Sequence, residues 1–283
     1  MRYCDLHCDL LSNISSLGEW SAREKQNFQL SPATLREGVF LQTFAVFAPN
    51  AKAAMSEFHT KYALFCELHA LLKKEGVTAV LSVENGAFLE ENIENVTVLA
   101  RCGVKVLTLT WNGSNALGGS HGQDKGLTAF GKSVTERLFY RKILPDVSHL
   151  SEKGVDEVAE IAKKYLRPFV ATHSNARALC AHSRNLTDEQ IRKIADRGGA
   201  VGVNFYPPFL GKHTPAEHIA YLMNVGGEDA VAVGSDFEGI EQSFYPSPTH
   251  VRKDLPYALK KEGLTERQIE KILKKNAIRV LFE

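Results

Sequence analysis

The feature that most constrains this chain is an alternation. Short, nearly continuous apolar runs recur along it, at 4–10, 38–47, 77–83, 103–110, 143–148, 168–172, 200–205 and 230–235. Runs of that length without polar interruption suit strands buried on both faces, as in a parallel sheet covered by helices. Most are followed by helical spacing. Over 51–75 the residues Met55, Phe58, Tyr62, Phe65, Leu68 and Leu72 recur at three- and four-residue steps, and Gly76 ends the pattern. Further helical stretches follow, one reaching about Cys102, then 130–141, one opened by Ser151, 188–197, and finally 248–262 and 265–281.

Eight strand candidates with regular crossovers predict an α/β fold, specifically a closed (β/α)8 TIM barrel. At 283 residues the chain has the length of one such domain, read here as spanning 1–283 with C-terminal helices from about 248. The polar stretch 12–32 reads as an insertion over one end. No Gly-x-Gly-x-x-Gly follows the first strand, which argues against a dinucleotide-binding sheet. The net charge of +1, with no basic run, gives no reason to expect nucleic acid or an anionic membrane as partner. No signal-like or membrane-spanning run is present, so the expected location is the cytoplasm. The five cysteines, lacking regular pairing, read as reduced, small buried hydrophobes. Whether the protein is a monomer or a homodimer is left open.

In such barrels the active site lies at the C-terminal ends of the strands. There the sequence places His7 and Asp9, Glu84, His149, His173 and Asp236, each just after an apolar run. In extended chain, His7 and Asp9 would point the same way. Taken singly, each histidine reads as a hydrogen-bonded, half-buried side chain. Six such residues at matching places in five βα units point to metal ligation instead. Imidazole and carboxylate suit a borderline divalent ion such as zinc, though another divalent metal would also fit. The set exceeds what one catalytic zinc needs and suits two metals sharing a carboxylate, an arrangement fit for hydrolysis.

The residues also carry a family resemblance. The chain resembles the membrane (renal) dipeptidases, the zinc dipeptidases of the amidohydrolase-like barrels known as peptidase family M19. The matching stretches are Asp5-Leu6-His7-Cys8-Asp9-Leu10, Ser82-Val83-Glu84-Asn85-Gly86, Leu107-Thr108-Leu109-Thr110 and Asp146-Val147-Ser148-His149. Thr172-His173-Ser174-Asn175-Ala176-Arg177-Ala178, Arg184-Asn185, Val203-Asn204-Phe205-Tyr206 and Gly234-Ser235-Asp236-Phe237-Glu238-Gly239 continue them in family order.

The resemblance implies two Zn2+ ions, one on His7 and Asp9, the other on His149 and His173, bridged by Glu84. It implies that Asp236 takes a proton from the bridging water and passes it to the leaving amine. Arg184 would clamp the C-terminal carboxylate of a small dipeptide; Tyr206 is a candidate to line the pocket, with packing under the barrel rim as the alternative. The implied activity is a metallodipeptidase acting on small dipeptides, L-Xaa-D-Xaa included. One position departs from the best-known pattern: Trp111 stands where those members carry a histidine near the substrate carbonyl. Its indole offers a single N–H donor, and His121 in the nearby glycine-rich loop is a candidate substitute. Two alternatives stay open: hydrolysis of a cyclic amide or N-acyl amino acid, and a metal-holding barrel that binds a ligand without turnover.

Overall fold

The computed structural model describes residues 1–22, 29–47 and 54–283. Among these, seven strands form one all-parallel sheet: β1 Tyr3–Asp5, β2 Val39–Phe47, β3 Thr78–Glu84, β4 Val106–Thr108, β5 Leu144–Asp146, β6 Val201–Val203 and β7 Val231–Val233. Their order is β5-β4-β3-β2-β1-β7-β6. The eighth expected strand, 168–172, is reduced to two single pairings, Val170 with Asp146 and Ala171 with Val201. Four backbone bonds of 2.8–3.1 Å hold it between β5 and β6, and this segment joins the sheet's two edges. Pro168 supplies no N–H at its start, and the chain turns away after Ala171 to present Thr172 and His173.

The interior of the ring is filled by Cys4, Leu6, Leu41, Val80, Val106, Val170 and Ala232. From below it is closed by Ala277, Val280 and Leu281 of the C-terminal helix Asn276–Phe282. Asn276 fixes that plug by donating Nδ2–H to the carbonyl of Val231, at the start of β7 (2.8 Å). The opposite, C-terminal mouth is left for polar side chains.

Helices follow most strands. Ala54–Lys74 buries Phe58, Phe65, Leu68 and Leu72, as the periodicity predicts; 51–53 lie outside the described residues. Glu152–Tyr165 starts at Ser151, whose hydroxyl accepts from the Gly154 N–H without a reciprocal box. The expected C-terminal helix 265–281 is Glu266–Glu270, a π turn over Lys271–Lys275, then Asn276–Phe282.

The structure departs from the sequence-based expectations at further points. The stretch 12–32, of which 23–28 lie outside the described residues, is more than a polar insertion. Its helix Leu17–Ala22 buries Trp20 completely. Two helices, Pro32–Gly38 and Pro215–Gly226, were not anticipated. Of the five cysteines, all free, only Cys4 and Cys8 are buried, and Cys66 is exposed. Finally, β1 ends at Asp5; pairing resumes only as a bridge from Cys8 to Phe237, and Asp9 directly precedes the short helix Leu10–Asn13. No helix among the described residues is long and apolar enough to cross a membrane.

Candidate metal centre

The strand ends bring all six expected residues to one buried point. His7 Nε2 lies 3.2 Å from Asp9 Oδ2 and 3.7 Å from Asp236 Oδ1. His149 Nε2 and His173 Nε2 are 2.9 Å apart, and the His173 ring also lies against that of His7, centroids 3.9 Å apart. Glu84, the last residue of β3, faces His7 with one carboxylate oxygen and His149 and His173 with the other. Its Oε2 is 3.7 Å from His7, while Oε1 is 3.3 Å from His149 and 3.5 Å from His173. None of the six is more than 8% exposed.

Local backbone supports this convergence at a cost. His149 and Asp236 adopt left-handed φ of 66° and 64°, which side chains other than glycine rarely take and which concentrates at functional sites. Gly239 packs against the centre: a Cβ there would come within 2.2 Å of Asp9 Oδ2 and 2.7 Å of Asp236 Oδ1, so any side chain would displace these carboxylates.

The electrostatics call for cations. Burial, aggravated by Asp9, raises the Glu84 carboxyl well above its ordinary range, and burial also raises Asp236. Burial opposes charge on His7, but Asp9 and Glu84 outweigh it and draw its pKa up to about 10. His149 and His173 are pushed well down by burial, with Arg184 and His7 adding to it, and stay neutral. Asp9 Oδ1 is buried with no hydrogen-bond partner. Neutral imidazole nitrogens and crowded carboxylates, with one carboxylate oxygen left over, are the donor set a divalent cation takes. Two overlapping triads, His7-Glu84-His173 and His7-Asp9-Asp236, have ligand atoms close enough to share an ion.

Outer partners orient several of these groups. His173 Nδ1–H donates to Thr172 Oγ1 (2.8 Å), whose hydroxyl donates to Asp146 Oδ2 (2.6 Å). Asp146, fully buried, also accepts from Thr108 Oγ1 and from the N–H groups of Ser148 and Thr172. Asn204 Nδ2 donates to Asp236 Oδ2 (2.8 Å), which turns Oδ1 towards His7. Asp146, Asn204 and Asn112, which meets His149 Nδ1 at 2.8 Å, were given no role from the sequence.

Glu84, Asp236 and His149 open into a cavity of about 370 Å³ walled by Phe47, Trp111 and Tyr206. Trp111 packs on Phe47, ring centroids 4.7 Å apart, with its ring 6.4 Å from that of His149. Tyr206 directly precedes the short helix Pro207–Leu210 and meets Phe209 edge-on at 4.9 Å. Arg184 is 4% exposed and lines a neighbouring cavity of about 430 Å³, whose walls Asn112 and Phe209 share with the first. Its Nη2 donates to the His173 carbonyl (3.2 Å), its Nε has no partner, and burial lowers its pKa to about 10. His121 does not point at the centre as a spare donor. Both its ring nitrogens are engaged, Nδ1 with Ser183 Oγ (2.8 Å) and Nε2 with Asn112 Oδ1 (3.2 Å). Burial holds it neutral, with a pKa near 4.

A parallel barrel whose C-terminal mouth gathers buried histidines and carboxylates defines a metal-dependent hydrolase. The whole chain, residues 1–283, matches the membrane dipeptidase family, peptidase family M19, and the protein belongs to it. With that membership it is a metallodipeptidase-type hydrolase requiring a divalent metal. An uncharacterized protein from the pqqA 5′ region of Klebsiella pneumoniae is 36% identical over 71% of this chain and 80% of its own length. An uncharacterized dipeptidase of Schizosaccharomyces pombe is 27% identical over 75% of this chain, which spans only 54% of the yeast protein. A metallo peptidase from Rhodobacter sphaeroides, solved with a phosphinate mimic of L-Ala-D-Ala, superposes with a TM-score of 0.83 at 24% identity, covering 99% of this chain and 98% of that one.

Proposed function

We propose that the protein is a two-zinc dipeptidase that hydrolyses the single peptide bond of small dipeptides with a free C-terminus, L,D pairs included. The placement of Glu84 carries this reading, because one carboxylate oxygen faces His7 and the other faces His149 and His173. His7 and Asp9 would hold one cation, His149 and His173 the other, with Glu84 common to both. Divalent cations held there supply Lewis-acid polarisation of the scissile carbonyl and bring the pKa of water towards neutrality.

The chain's own groups do the rest. Asp236, held by Asn204 through Oδ2, keeps Oδ1 turned to the centre, where it accepts the proton of the attacking water and returns it to the leaving amine. Arg184 has an unused Nε–H and a buried guanidinium, suited to a bidentate grip on a carboxylate. Phe47, Trp111 and Tyr206 shield the reacting bond from bulk water. The ligand reported for the Rhodobacter peptidase supports acceptance of a D-residue at the C-terminal position.

The test is an assay of L,L and L,D dipeptides, their C-terminal amides, cyclic amides and N-acyl amino acids with added zinc, with metal counted in wild type and Glu84→Gln. Free dipeptides should be cleaved well and amides poorly. Glu84→Gln should hold fewer than two metals and be inactive while remaining folded. Equal cleavage of amides and free acids would favour the wider amidohydrolase reading. Two bound metals with no turnover on any substrate would favour a binding protein.

A further inference from the structure

Two side chains of the loop after β4, Asn112 and His121, have no part in the reaction described above, yet their bonds converge on His149. Nε2 of His149 faces His173 and Glu84 at 2.9 and 3.3 Å, so it must offer a lone pair to any cation held there. Its ring proton therefore sits on Nδ1 and is donated to Asn112 Oδ1, 2.8 Å away. The same amide oxygen takes the Nε2–H of His121 at 3.2 Å, which leaves His121 Nδ1 to accept the hydroxyl proton of Ser183 at 2.8 Å. Every link has one possible direction, and the series ends beside Arg184 in sequence.

The backbone repeats the arrangement. The His149 carbonyl accepts from the His121 N–H (2.7 Å) and from the Thr110 hydroxyl (3.1 Å), while the single hydroxyl proton of Ser120 is shared between it and the Trp111 carbonyl. These bonds hold the left-handed φ of 66° at His149. Asn112 is itself exposed, where the two cavities meet. An exposed amide rotates unless something holds it, and two N–H donors on one oxygen fix both its flip and its azimuth.

We propose that Asn112 and His121 are positioning residues. Asn112 sets the tautomer and rotation of the His149 ring, and His121 braces Asn112 against Ser183, so that the loop holding metal and the loop holding Arg184 keep one register. This rests on the reading of His149 as a metal ligand and of Arg184 as the substrate's anchor.

The test compares Asn112→Leu, Asn112→Asp, His121→Phe and His121→Gln, measuring zinc and cobalt affinity by competition with a chromophoric chelator. The visible spectrum of the cobalt form and KM for dipeptides are measured alongside. Loss of such an outer partner typically weakens metal binding about 10–100-fold. Asn112→Leu should lose that much at one of two sites and shift the cobalt bands. Asn112→Asp, whose carboxylate accepts the same two N–H groups, should restore both. Should Asn112→Leu not fold, Asn112→Ser removes the same acceptor and carries the same expectation. His121→Phe should raise KM with the metal count unchanged, and His121→Gln, able to accept from Ser183 and donate to Asn112, should recover it. Wild-type affinity and spectrum in Asn112→Leu would overturn the proposal, as would an Asn112→Asp as impaired as the leucine variant. A wild type that binds two cations but cleaves no dipeptide would remove the functional reading alone, leaving the affinities to decide the role of Asn112. A wild type with no affinity for divalent cations would overturn both.

Discussion

Trp111 is the residue at which chemistry and shape pull apart. Its indole packs on Phe47 at 4.7 Å and walls the cavity, while its one N–H cannot do all that an imidazole does near a developing oxyanion. Removing one oxyanion donor typically costs about 10²–10³ in kcat, so restoring one should repay part of that. Trp111→His is expected to raise kcat on small dipeptides by about tenfold or more, with metal content unchanged. It should also raise KM for dipeptides with bulky side chains, because the aromatic wall is opened. A fall in kcat with both metals retained would instead make the indole a working part of the substrate pocket. The six centre-lining residues were legible because each follows an apolar run, and a costly polar group at a strand end invites explanation. Asp146, Asn204 and Asn112 were not, since the bond that ties each to the centre runs to a partner 26 to 37 residues away.

The helices divide in the same way. Long periodic stripes such as that of Ala54–Lys74 declared themselves, whereas Pro215–Gly226 buries a short set, Ala216, Ile219 and Leu222, and went unseen. Its start was nonetheless written in the chain: Thr214-Pro215-Ala216-Glu217 is a capping box with proline at the first position. Ser31-Pro32 marks the start of Pro32–Gly38 in a similar way. Pro215–Gly226 also carries His218, fully buried, which accepts the Ala176 N–H on Nδ1 and donates Nε2–H to the Leu210 carbonyl. It thus ties the loop after His173 to the helix bearing Phe209. Burial depresses its pKa below the ordinary value of 6.5. The neutral ring is the one that fits, so its stabilisation is complete above the unfolded-state pKa and is lost as pH falls through and below about 6.5. His218→Gln can make both bonds without titrating. Thermal unfolding of the metal-loaded proteins from pH 7.5 to 5 should therefore fall less steeply for His218→Gln than for wild type. Parallel curves would show that His218 is not the titrating tie.

The barrel was legible as a class from its alternating runs, but how it closes was not. The segment at 170–171 makes only single pairings with β5 and β6, four backbone bonds in all, and the polar cluster around Asp146 reinforces the ring there by bonding across from Thr108 to Thr172. The candidate metal centre spans the same ring, drawing on residues after β1, β3, β5, the 170–171 segment and β7. Cations there would stitch together strands remote in sequence and neutralise three carboxylates crowded out of water. A ligand at about 1,000 times its Kd stabilises the native state by about 4 kcal/mol per site, and each 1 kcal/mol moves Tm by about 2–4 °C in chains of 150–250 residues. Stripping both metals with a chelator should therefore lower Tm by about 15–30 °C, and excess zinc should reverse it. Calorimetry of the stripped and reloaded protein checks this, with Glu84→Gln, expected to hold fewer metals, showing a smaller gap. An unchanged Tm on complete metal removal would mean that the ring closes without help from its centre.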